Sequence, residues 1–207
     1  MMHCRSRHIF GCIYCTTCSL LIMLMLSYYL LMVIINPSNV EFYVTEASLT
    51  QFNFTSNNTL FYHLKVNVTV RNPNKHMIVY YRNITAIAWY KDNDVGRVSL
   101  APFDQAHKNT TYLQALFEGQ NVIPLKPKQL GEYQEETSIG VYNDLAVDFD
   151  LKIRSKYRKW FKSGRFNPPI VQCRRMRVPL ISNGKSAPSF IVIKCNSGSF
   201  FKDRGAH

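Results

Sequence analysis

Asp148 and Asp150 fall at the same parity of an alternating stretch, so one face of an extended strand would present two carboxylates, the minimum set for general acid and base work. Lys152 follows at that parity, and the expected role of the pair is an exposed acidic rim, with an exterior hydrolase as the rival. Asp92-Asn93-Asp94-Val95-Gly96 opens like a calcium loop but lacks the rest of the loop and its bidentate Glu, and reads as a hairpin turn. The six histidines, at positions 3, 8, 63, 76, 107 and 207, have no ligand spacing, and the chain holds no GxSxG, HExxH, Walker or GxGxxG motif. No catalytic residue, metal or cofactor is expected.

The six cysteines divide into two sets. Cys12, Cys15 and Cys18 follow Cys4 inside an apolar run, which makes a poor zinc cage; they are either small helix residues or acceptors for palmitoylation. Cys173 and Cys195 lie far from that run and are expected to pair; closing a loop of that size stabilises a fold by about 3 kcal/mol. Five sequons, at Asn53, Asn57, Asn67, Asn83 and Asn109, all follow the apolar run and predict N-glycosylation in a lumenal or extracellular compartment.

Charge is the strongest polar feature. The net charge is +12, and from Leu151 onward 14 Lys and Arg face a single Asp. Lys152, Arg154, Lys156, Arg158, Lys159, Lys162, Arg165, Arg174, Arg175 and Arg177 read as one basic face, either a solvated strand surface or a docking surface for acidic polysaccharide, anionic lipid or a receptor. Trp160 and Tyr157 interleave with these charges, where core packing is their expected role. Nucleic acid is excluded as a partner by the expected topology.

These residues need elements to position them. Ile9 to Ile35 contains no Asp, Glu, Lys or Arg. As a helix this stretch covers roughly 40 Å, more than the roughly 30 Å of bilayer hydrocarbon. Arg5 and Arg7 precede it and no Lys or Arg follows until Lys65, which predicts a cytosolic N-terminus over 1–8, an uncleaved signal anchor over 9–35 and an exterior domain over 36–207. Asn36-Pro37-Ser38-Asn39 offers no small-x-small cleavage site, which disfavours a cleaved signal peptide.

Beyond the anchor the pattern is that of strands. Even positions from Leu60 to Val70 are apolar, which predicts a half-buried strand with Asn67 and, by the same logic, Asn53 facing solvent. Odd positions from Val141 to Phe161 predict a longer strand that bends near Arg154 to Tyr157. Further strands are expected at 77–90, 97–100, 111–117, 171–180 and 190–195, with one short helix over 128–136. Turn-bounded strands at this spacing indicate a mainly β sandwich.

The ordered series Val68-Thr-Val-Arg-Asn-Pro-Asn-Lys75, Val79-Tyr-Tyr81, Ala86-Ile-Ala-Trp-Tyr90, Pro102-Phe-Asp-Gln105 and Lys108-Asn-Thr-Thr111, followed by the Lys152 to Arg158 strand with Cys173 and Cys195, resembles the plant harpin-induced and non-race-specific-disease-resistance-like family. Its exterior module is the group-two late-embryogenesis-abundant, or water-stress and hypersensitive-response, domain. The resemblance implies a seven-stranded immunoglobulin-like or fibronectin-like sandwich, no catalytic residues, and a plasma-membrane role in pathogen defence and hypersensitive cell death. Some relatives are linked to abiotic stress or to plasmodesmata. The N-terminus lacks the long proline-rich cytosolic segment of many relatives. The expected function is therefore a single-pass, non-enzymatic defence glycoprotein, with dehydration protection as the alternative.

Overall fold

The computed structural model describes residues 2–35, 37–157, 161–181 and 190–205; the side chains of 2–13 and 31–35 are outside that description, as are Arg158, Lys159 and Trp160. Two compact units divide the chain, Met1–Pro37 and Ser38–His207. The first is a single helix, α1 (Met2–Ile35). Its side chains are described from 14 to 30, and among the described residues no helix is long and apolar enough to cross a membrane. Cys15 and Cys18 carry free thiols there, and Cys12 lies outside the described side chains.

The second unit is mainly β. In chain order it runs β1 (Glu41–Phe54), β2 (Thr59–Arg71), β3 (Met77–Tyr90), β4 (Asn93–Leu100), β5 (Phe103–Gln105), β6 (Thr110–Val122), α2 (Pro127–Ile139), β7 (Val141–Tyr157), β8 (Phe161–Phe166), β9 (Val171–Pro179) and β10 (Ile193–Lys194). One antiparallel sheet has the order β10-β1-β2-β6; the other has β4-β3-β7-β8, with β5 on β3 and β9 on β7. The described residues thus form ten strands where seven were expected. The excess comes from short pieces such as β5, β8 and β10, which pair only two to six residues long.

Alternation builds the core where it is unbroken. Leu60, Tyr62, Leu64, Val66, Val68 and Val70 of β2 are all buried, while the residues between them stay half-exposed. Facing them from the second sheet are Val79, Tyr81, Ile84, Leu145, Val147 and Phe149, in one hydrophobic cluster. Early in β7 the expected parity fails. Asp144 adopts φ 56 at a bulge between Tyr142 and Leu145, so Tyr142, not Val141, turns inward.

Two buried amides tie loops to this core. Asn72 donates from Nδ2 to the carbonyls of Met77 at 2.8 Å and Ala106 at 3.0 Å. Gln105 donates from Nε2 to Val70 O at 2.8 Å and accepts from the Tyr81 hydroxyl at 3.3 Å. Both side chains are fully buried, and every bond of this kind offsets the cost of withdrawing an amide from water. The Asn-Pro-Asn and Pro-Phe-Asp-Gln segments are therefore structural joints. The C-terminal segment, polar in sequence, drives Phe200 into the core against Phe42 at 5.9 Å, held by Asn39 bonds to Gly198 O and Phe200 N.

Candidate functional site

The β3–β4 hairpin sets one boundary of an open groove of about 940 Å³. Its two turn residues, Lys91 and Asp92, have φ 47 and 65, the pair of positive values that a tight type I′ hairpin requires. This agrees with the hairpin turn expected there: the sequence 92–96 supplies one turn residue and the first residues of a strand. Among the described residues no group of three or more His, Cys, Asp or Glu could hold a metal ion.

Helix α2 forms the second boundary. Pro127 at its first position and Gly140 in the left-handed conformation (φ 74) at its end define the helix. It is fastened to the hairpin by a buried polar cluster. Lys91 Nζ donates to Glu132 Oε2 at 2.7 Å and Glu136 Oε1 at 3.2 Å, and the Tyr90 hydroxyl donates to Glu136 Oε2 at 2.5 Å. Gln129 Nε2 adds a bond to Lys91 O at 3.0 Å. Burial alone would pull the Lys91 ammonium down, but its bonds to Glu132 and Glu136 outweigh it and the pKa rises. Glu132 is held below the usual carboxylate range, chiefly by its bond to Lys91. Burial, followed by the Glu136 bond, pushes the Tyr90 phenol up.

The third boundary comes from β9 and β10. Cys173 and Cys195 are joined in a disulfide across a sequence separation of 22. The flanking residues Gln172 and Asn196 exchange two backbone hydrogen bonds, N to O, at 2.9 and 2.8 Å. Gln172, Arg174 and Arg175 therefore reach the groove as one braced wall with Lys194 and Asn196. Of the six non-glycine residues described with positive φ, four line the groove: Lys91, Asp92, Asp144 and Arg175. Each costs about 1–2 kcal/mol relative to relaxed backbone, so strain is concentrated at this one place.

Beneath the floor sits Asp148, which is buried rather than on an exposed rim as expected. Arg174 pairs with its Oδ2 at 2.8 Å and lies 5.9 Å from the Trp89 ring. Desolvation raises the Asp148 pKa, and Arg174 and Trp89 oppose that rise. Asp150 instead pairs with Arg204 at 3.1 Å. The two carboxylates thus serve separate ion pairs and do not form an acid and base couple.

The expected single basic face is divided. β8 and β9 pair with opposite ends of the same edge of β7, so their charges are spread along the sheet. At one end Arg154 lies opposite Arg165 and Lys156 opposite Lys162 in the ladder, next to exposed Lys152. Lys162 and Arg82 both approach the Tyr80 ring, at 5.7 and 5.1 Å, and Arg154 Nε donates to Ser163 O at 2.8 Å. No ion pair among the described residues engages these five cations of β7 and β8. At the other end, Arg174, Arg175 and Arg177 are exposed on β9, and the first two line the groove. Tyr157 ends β7 half-buried, with His76 6.3 Å away.

Asn53, Asn57, Asn83 and Asn109 are exposed. Asn67 lies on the outer face as its register required, but is half-buried, donating from Nδ2 to Glu46 at 2.6 Å. The groove residues Trp89, Lys126, Lys128, Lys194 and Asn196 escaped the sequence reading, because five elements separated by up to 107 positions converge there. The available signal was the cysteine pair, which obliges residues 172–175 and 194–196 to be neighbours.

A family model described as late embryogenesis abundant protein matches residues 67–173. Three Arabidopsis thaliana proteins are similar over most of the chain. NDR1/HIN1-like protein 10 is 39% identical over 181 residues, covering 86% of this chain and 78% of its own. NDR1/HIN1-like protein 3 is 36% identical, covering 79% and 69%, and NDR1/HIN1-like protein 2 is 33% identical, covering 81% and 69%.

Proposed function

Because the chain belongs to the NDR1/HIN1-like family and carries its late embryogenesis abundant domain, we propose that it acts in plant defence and hypersensitive-response signalling as a plasma-membrane-anchored, non-enzymatic glycoprotein with an exterior interaction module. The observation that carries this reading is the distribution of sequons. All five belong to the Ser38–His207 unit, and four of the asparagines are exposed. An uncharged helical run precedes them.

The helix is suited to an anchor. Large apolar side chains from Leu20 to Leu26 are exposed around its whole circumference, which in water would be costly and in lipid is not. Two of its hydroxyls are satisfied internally: Thr17 donates to Tyr14 O at 2.9 Å and Ser27 to Leu24 O at 2.8 Å. Cys15 and Cys18 are available there for acylation. On the exterior unit, the cations of β7 and β8 would engage an anionic surface or receptor. Asp148 and Asp150, each already neutralised by an arginine, support a non-enzymatic role.

Two fractionations of leaf tissue test the proposal. The protein should remain in the membrane pellet through alkaline carbonate extraction and lose apparent mass on PNGase A treatment, which also cleaves the core-fucosylated glycans of plants. Extraction into the soluble fraction with no glycosidase shift would overturn it. A second reading, protection of membranes during dehydration, follows from the late-embryogenesis-abundant resemblance. Leaves expressing Lys156→Glu/Lys162→Glu separate the two, since only the signalling role loses elicitor-dependent cell death.

A further inference from the structure

We propose that the groove bounded by the β3–β4 hairpin, the first turn of α2 and the disulfide-linked β9–β10 wall is a binding site for a short acidic oligosaccharide, a chain of uronate rings. The proposal rests on the exterior reading above and goes beyond it, adding a recognition site at the other end of β7 from the β7 and β8 cations. Six cations line the groove (Lys91, Lys126, Lys128, Arg174, Arg175 and Lys194) against three carboxylates. Several of these charges are already committed: Lys91 to Glu132 and Glu136, Arg174 to Asp148, and Lys194 to Glu41 at 3.1 Å. Lys126 and Arg175 have no ion pair among the described residues, and Lys128 reaches Glu132 only at 4.0 Å. The uncommitted positive charge thus sits on opposite walls. Lys126 and Lys128 also flank the N-terminal end of α2, where the helix dipole adds to their attraction for an anion.

The rest of the lining separates a sugar from other anions. Gln172 and Asn196 bring amides, Asp92 and Asp144 bring acceptors, and Trp89 brings a half-buried indole ring. Sugar hydroxyls need donors and acceptors side by side, and the carbon face of a pyranose ring packs on an indole. An anionic bilayer needs neither, and a planar surface does not enter a concavity. At about 940 Å³ the groove is at the upper end of small-ligand sites, which suits an oligomer more than a single ring. Both walls are braced before any ligand arrives, by the Cys173–Cys195 bond on one side and the Lys91–Glu132–Glu136 cluster on the other. Such preorganisation reduces the entropy lost on binding.

Titration calorimetry on the full chain in mild detergent tests the assignment, with tetragalacturonic acid as probe and neutral galactotetraose as control. Saturable binding with one site per chain is expected for the acid and none for the neutral sugar. Lys126→Gln/Arg175→Asn should weaken it about tenfold or more, the loss typical of removed charge-assisted contacts. Asn accepts the left-handed backbone at position 175, so this variant should keep the wild-type melting temperature. Lys75→Gln/Lys202→Gln, two exposed lysines outside the groove, should change the affinity less than twofold. The inference is overturned if the acid shows no saturable binding, if galactotetraose binds equally, or if the two double variants weaken binding equally. It is also overturned if the groove variant loses binding to phosphatidylserine-containing vesicles while its sugar binding is unchanged. Sidedness does not enter this assay: a protein that binds tetragalacturonate but is unchanged by PNGase A would sink the exterior reading and leave the site standing.

Discussion

Replacing Glu136 by alanine should be among the most destabilising single changes outside the apolar core. Glu136 is 6% exposed and accepts from both the Tyr90 hydroxyl and Lys91, itself 7% exposed. The alanine leaves a buried phenol without an acceptor and a buried ammonium with one carboxylate instead of two. Breaking a buried pair costs about 3–5 kcal/mol, and the surviving bond from Lys91 to Glu132 keeps the loss near the lower end, about 3 kcal/mol. For a unit of this size that corresponds to about 6–12 °C in melting temperature, read by circular dichroism on the full chain. Glu132→Ala removes the more exposed partner and should shift the midpoint less than half as far. The effect has a pH window. Glu132 titrates below its unfolded value, so its contribution is present above about pH 4.5 and is lost as pH falls through the lowered value. Lys91 titrates above its unfolded value, so its contribution is complete below about pH 10 and is lost as pH rises through the raised value. A Glu136→Ala protein melting within about 2 °C of wild type at pH 7, a shift worth at most about 1 kcal/mol in a unit of this size, would refute the reasoning.

Other perturbations probe the remaining joints. Phe200→Ala should cost about 3–5 kcal/mol, because its fully buried ring closes the core beside Phe42 and Tyr81; a midpoint near wild type would show that the C-terminal segment is not part of that core. Gly96→Ala should cost about 1–3 kcal/mol, because the new methyl group collides with the Tyr62 hydroxyl, and Tyr62→Phe in the same chain should recover much of the loss; purely additive effects would refute the collision. Asp148→Asn should stay within about 1 kcal/mol of wild type at pH 7, since it removes a carboxylate that burial disfavours while Arg174 stays 41% exposed. A raised folded-state pKa means that wild type gains on this variant as pH falls through that value toward about 3.9, so a difference moving the other way on acidification would refute the assignment.

How far the sequence could be read depended on whether the backbone stayed regular. β2 keeps perfect alternation over its length, so its inward face and the outward register of Asn67 were both legible. β1 was not, although it is just as long. Bulges after Val44 and Leu49 switch its buried parity twice, from Phe42 and Val44 to Ala47 and Leu49 and back to Phe52, so no single period runs through it. The same effect at Asp144 exchanged Val141 for Tyr142 in the core. The basic residues were visible but not their division, because their grouping is decided by which end of β7 each later strand pairs with. Phe200 lay in a stretch whose composition is polar, and only the Asn39 bonds that fix the segment reveal its role. The family motifs were legible as a signature. Their physical work, buried amide joints at Asn72 and Gln105, required the folded geometry.

The proposed function requires the Ser38–His207 unit to stand outside the cytosol on an uncleaved helical anchor. Protease added to sealed protoplasts expressing the chain with a C-terminal epitope tests this most directly. Loss of the epitope without detergent, while a cytosolic marker survives, is the predicted result. An epitope that persists until detergent opens the membrane would contradict it.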